Sequence, residues 1–156
     1  PQVSGVSLST PLLTRLASDY PEQFGGIKDS SGGLAHGQET ARDFPYHSVL
    51  VGNDRLLSAA LEAGAAGCIT ALANLISPLL REIYEQQELG NDTSAFQQKA
   101  DAARAVLDDL APFPAGIKGL LAEMHGFPLW PVKPPLLSFS EIQIKAAAEK
   151  LRRILE

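Results

Sequence analysis

The feature that most constrains this chain is a rhythm of short apolar runs, each followed by an amphipathic stretch. Residues 24–29 (FGGIKD), 47–52 (HSVLVG) and 65–72 read as three strands. The last is apolar without a break, as suits a parallel strand covered on both faces. Helical stretches alternate with them. Thr10-Pro11 opens the first, because Thr suits an N-cap and Pro the first helical position. Leu12, Leu13, Leu16 and Tyr20 follow at helical spacing. A short helix is expected at 36–43 and another at 55–63, ended by Gly64. Strands alternating with helices predict a parallel sheet.

Three parallel strands alone would leave two unpaired edges. A (β/α)8 barrel takes about 250 residues, so 156 residues suit only part of one. After Gly90 no strand is expected. Ser77-Pro78 opens a helix that runs to about Gln87, a second covers 92–110 and a third 115–124. Four prolines make 126–137 an extended loop, and Ser138-x-x-Glu141 reads as a capping box for a last helix at 139–155. The fold class predicted is α/β: the C-terminal part of a TIM (β/α)8 barrel over 1–90, then a C-terminal helical extension over 91–156.

Composition narrows function by exclusion. A net charge of -5, with basic residues scattered except for Lys150, Arg152 and Arg153, argues against a nucleic-acid partner, which needs concentrated Lys and Arg. No apolar run is long enough for a membrane span and no leader pattern is visible, so a cytoplasmic protein is expected. Cys68 is the single cysteine, and its apolar setting reads as a buried structural thiol. His36, His47 and His125 lack metal-ligand spacing, so no metal is expected. Trp130 should pack against the helical tail, with Lys118 and Lys133 on the surface.

The chemistry concentrates in residues 26–32, GIKDSSG. Side chains alternate along a strand, so Gly26, Lys28 and Ser30 share one face and Ile27 and Asp29 the other. Ile27 suits a helix-covered face. Lys28 then points into the barrel near the C-terminal end of its strand, where barrel enzymes keep their chemistry. Desolvation there lowers an amine's pKa, and a neutral amine can attack a ketone. From spacing alone, the commoner reading of Lys28 is a lysine that snorkels outward at a strand end.

Four elements in order carry a resemblance: GIKDSSG at 26–32, VGND at 51–54, GAAGCITALAN at 64–74 and KPPLLSFS at 133–140. Together they resemble the dihydrodipicolinate synthase / N-acetylneuraminate lyase family of class I pyruvate-dependent aldolases, over essentially the whole chain. PQVSG at the start matches the end of that family's YNIP-type motif. The resemblance implies that Lys28 forms an imine with pyruvate or a related 2-oxo acid, with no cofactor. It implies substrate-binding roles for Ser30, Gly52, Asp54 and, through its carbonyl, Ile69. Asp54 has a plainer reading as a helix cap, Gly52 as a tight turn and Ile69 as core; Asp29 and Ser31 read as structural.

The family's proton-moving tyrosine and carboxylate-binding threonine pair would lie before Pro1. The chain opens on Pro1 rather than Met, so the N-terminal half of the barrel is expected as a partner. The isolated chain is expected to be inactive, because residues that act as a unit fail together. The family's use of its tail implies a homo-oligomer, a tetramer.

Departures from the pattern bear on substrate. Val3 stands where dihydrodipicolinate synthases place an arginine. Arg55 and Ala71 stand where sialic acid lyases place a glutamate and a serine. Arg55 could instead meet an anionic group of the substrate. The run 71–74 is similar to 4-hydroxy-2-oxoglutarate aldolases. The function expected is a 2-oxo acid aldolase or lyase. The alternatives are a non-catalytic barrel that binds a 2-oxo acid, or a truncated inactive fragment.

Overall fold

The computed structural model describes residues 5–156, so Val3 and most of the PQVSG segment lie outside the described residues. Contacts divide the chain into two compact units, Pro1–Ile69 and Thr70–Glu156.

The first unit runs α1 (Thr10–Asp19), β1 (Gly26–Asp29), α2 (Leu34–Asp43), β2 (Ser48–Val51), a 3-10 turn (Asp54–Leu56), α3 (Leu57–Glu62) and β3 (Gly67–Cys68). The sheet is parallel in the order β1-β2-β3, with Lys28 opposite Leu50 and Val51 opposite Cys68. One face packs on α2 and α3. Val49 and Val51 join Ala41, Ala60 and Ala65 there, with Ile27, Leu56 and Cys68 against them. Burying each valine stabilises the unit by about 1.5–3 kcal/mol. The other face carries Lys28 and Ser48, both exposed, and half-buried Leu50.

The second unit is helical: α4 (Ala73–Glu88), α5 (Ser94–Asp108), α6 (Phe113–His125) and α7 (Glu141–Leu155). α7 packs on α5 and α6, and α4 on the same two. Ile83, Leu107, Leu120 and Leu151 are fully buried. Gly119 lets α6 and α7 approach closely, since a Cβ there would lie 2.5 Å from Ile144 Cδ1. Among the described residues, no helix is long and apolar enough to cross a membrane.

Several expectations need correction. Ser9, not Thr10, occupies the N-cap of α1. The third strand is two residues long rather than 65–72. Local hydrogen bonds end it: Thr70 Oγ1 accepts from the Ala73 N–H at 3.3 Å, and the Asn74 side-chain amide donates to the Ala71 carbonyl at 2.9 Å. These bonds start α4 early. The helix breaks at Ile76 (φ -126°, ψ 27°), so Ser77-Pro78 does mark a helical start, within a longer element. The capping box is Ser140 with Gln143, two residues beyond the expected pair. Cys68 is half-buried rather than buried.

Candidate active site

The site is built at the C-terminal end of β1. Gly26 is needed there because any Cβ would overlap the Ser48 carbonyl oxygen. Alternation then sends Ile27 and Asp29 toward the helices and leaves Lys28 exposed. Lys28 was expected in a dry cavity. Within this chain it is open to solvent, because three strands do not enclose it.

Asp29 ties the strand end together. Its carboxylate is buried at 6% exposure. Oδ1 accepts from the Ser31 N–H at 2.9 Å and Oδ2 from the Ser31 hydroxyl at 3.1 Å. His36 Nδ1 approaches Oδ2 to 3.3 Å, yet it is buried without hydrogen-bond alignment to any partner. The Asp29 carbonyl accepts from the Gly52 N–H at 2.7 Å. Asp29 therefore holds the turn that carries Ser30 and locks β1 to the end of β2. The signal for this in the sequence was Asp followed two residues later by Ser, an Asx-type turn. The sequence pattern around His36 carries no signal for this contact.

Lys28, Ser30, Ser31 and His36 line a cavity of about 500 Å3, together with Ser7 and Leu8. Gly52 lies against Ser30: a Cβ on it would sit 3.0 Å from Ser30 Oγ and 2.8 Å from the Asp29 carbonyl. The structure thus brings Lys28 and Ser30 onto one cavity, with Gly52 outside its lining but packed against Ser30. The other expected site residues do not line this cavity. Asp54 is fully buried. The cap of the turn that follows is Asn53, whose Oδ1 accepts from the Arg55 N–H at 3.2 Å; the plainer reading of Asp54 as that cap is wrong. Arg55 is exposed. Ile69 is not core. It is 50% exposed, and its N–H donates to the Val51 carbonyl at 3.0 Å.

The site thus holds an exposed-face lysine at the C-terminal end of a parallel strand, near a hydroxyl that a close-packed glycine supports. Residues 1–154 match the Dihydrodipicolinate synthetase family. The chain belongs to that family. An uncharacterized DapA-like lyase of Chloroflexus aurantiacus is 32% identical over 99% of this chain and 52% of its own length. The 4-hydroxy-tetrahydrodipicolinate synthase of Methanopyrus kandleri is 27% identical over 99% and 51%. Among solved structures, YagE, a prophage protein of E. coli K12 in complex with pyruvate, has a TM-score of 0.86 at 23% identity, covering 99% of this chain and 54% of that one. This chain spans about half the length of the curated relatives it matches. Family members are pyruvate-dependent lyases of the TIM-barrel fold. They use no cofactor, only a lysine Schiff base.

Proposed function

We propose that Lys28 is the Schiff-base lysine of a class I aldolase or lyase that makes or breaks a carbon–carbon bond to pyruvate or a related 2-oxo acid. The observation that carries this reading is the placement of Lys28 on the open sheet face, at the strand's C-terminal end, with Ser30 lining the same cavity and Gly52 packed against Ser30. The Nζ nitrogen attacks the ketone carbon and water leaves. The resulting iminium takes up the electron pair of the bond being broken, or returns it, as the enamine, to an incoming aldehyde. Ser30 offers a hydroxyl to the bound acid. Arg55 and Ile69 would reach substrate only once further strands complete the site, whereas Asp54, buried within this chain, would support the site from behind.

This chain leaves the amine exposed, whereas a reactive amine needs desolvation. The dry surroundings therefore come from the rest of a barrel, and this chain alone does not turn over. Residues 1–90 serve as βα units of that barrel, and 91–156 as a tail available for self-association into a tetramer.

The test is borohydride reduction in the presence of pyruvate, with the modified peptide mapped by mass, on the chain joined to a complete barrel. A single adduct at Lys28 is expected. An adduct elsewhere, or none, overturns the assignment.

A further inference from the structure

The helical unit contains a second cavity, of about 310 Å3, between α6, α7 and the loop that joins them. Its apolar lining comes from Ala115 and Ala122 of α6, Ile144 of α7, and Leu129, Trp130 and Phe139 of the loop, and Ser138 adds a hydroxyl. At the rim, Phe127 and Trp130 stand with ring centroids 5.7 Å apart and are 49% and 43% exposed. An apolar concavity with a few convergent polar groups is the usual form of a small-molecule site, and this volume lies at the lower end for one.

Three charged side chains border it, and their pairing sets the sign. The Glu141 carboxylate is held by Lys145 Nζ at 2.5 Å. The Glu123 carboxylate has the Arg152 guanidinium at 3.9 Å. Lys118 is different. Its Nζ donates to the Pro131 carbonyl at 2.7 Å, a neutral acceptor and its one polar partner among the described residues. An ammonium has three N–H donors, so two remain. The uncompensated charge at the cavity is positive; the Lys118 side chain is half-buried as a whole, with its bond to Pro131 on the exposed side.

We propose that this cavity binds a small aromatic or branched apolar monocarboxylate, its body against Trp130 and Ile144 and its carboxylate on the Lys118 ammonium. The volume admits a free acid of about a dozen non-hydrogen atoms rather than a peptide. The site lies wholly within the second unit and does not rest on the role of Lys28.

Trp130 is the single tryptophan, so its emission reports on this cavity alone. The probe is phenylacetate, titrated into the 156-residue chain. A saturable change with a dissociation constant of about 1 mM or tighter is expected. Benzyl alcohol should bind at least about 5-fold more weakly, since it lacks the charge-assisted bond, and phenethylamine should not saturate. Lys118→Gln should weaken phenylacetate about 10-fold and leave benzyl alcohol unchanged. Ala122→Leu, which fills the cavity, should abolish both. Flat emission through about 10 mM phenylacetate would overturn the proposal. So would an amine that binds as well as the acid, or a folded Lys118→Gln chain that binds phenylacetate as tightly as the parent. Methyl shifts of Ala115 and Ile144 in the unaltered chain decide the matter if a variant fails to fold.

Discussion

The two units solve the burial problem differently. In the helical unit each helix turns its apolar stripe to the others, and Leu107, Leu120 and Leu151 are shut away completely. In the sheet unit only one face is shut away; Val49 and Val51 are buried while Lys28 and Ser48, on the other side, are exposed. Stability is concentrated where both sides of an element are covered. Chemistry is placed where one side is left open.

That contrast can be broken most sharply at Lys28. Lys28→Met should abolish pyruvate trapping in a complete barrel, while the chain's own melting free energy moves by less than about 0.5 kcal/mol, as befits an exposed side chain. A large loss of stability would show that the open face is structural. Leu120→Ala should do the reverse. It should cost about 2–5 kcal/mol by denaturant unfolding, through the transfer and cavity terms together, with no effect on which lysine is trapped.

Gly52→Ala tests whether the sheet unit has one point that is both structural and chemical. The added methyl meets the Asp29 carbonyl at 2.8 Å, which should cost about 1–3 kcal/mol and slow trapping as well. Ser140→Ala removes the side-chain cap of α7. It should cost about 1 kcal/mol, seen as lost helical signal without change at the sheet.

The smallest effect is that of pH. Hydrogen bonding from Lys145 holds the Glu141 carboxyl below its ordinary value, and the Ser94 hydroxyl does the same for Asp92. A carboxyl lowered in the folded state contributes stability above its unfolded value and loses it as pH falls through the folded one. The helical unit should therefore weaken slightly below about pH 4, and this loss should shrink in Glu141→Gln. Both groups are exposed, so solvent screens the effect.

Periodicity made much of this architecture legible. Alternation at 26–29 and 48–51 and helical spacing behind Pro11 sufficed, because burial on one face imposes those patterns. What escaped depended on local polar bonds. The apolar run at 65–72 reads as one strand, yet Thr70 and Asn74 recruit its end into a helix. Two overlapping Ser-x-x-acid/amide patterns, Ser138/Glu141 and Ser140/Gln143, compete in the sequence, and the chain uses the second. At the site, GIKDSSG pointed to Lys28 and its face. The role of Asp29 was hidden because a buried carboxylate is recognised only by what lies around it in three dimensions: Ser31, His36 and Gly52.

The register of β1 on β2 has an evolutionary corollary. Lys28 pairs with Leu50, an offset of an even number of residues, so even-numbered positions of both strands face one way and odd-numbered positions the other. On β2, selection acting on substrate preference can rewrite the even positions, Ser48 and Leu50, while selection for folding holds the odd ones; on β1 the even positions are Gly26 and Lys28, which close approach and chemistry hold fixed. Drift along β2 should therefore show a two-residue beat, with tolerance and intolerance to exchange taking turns, while β1 should resist exchange at every position.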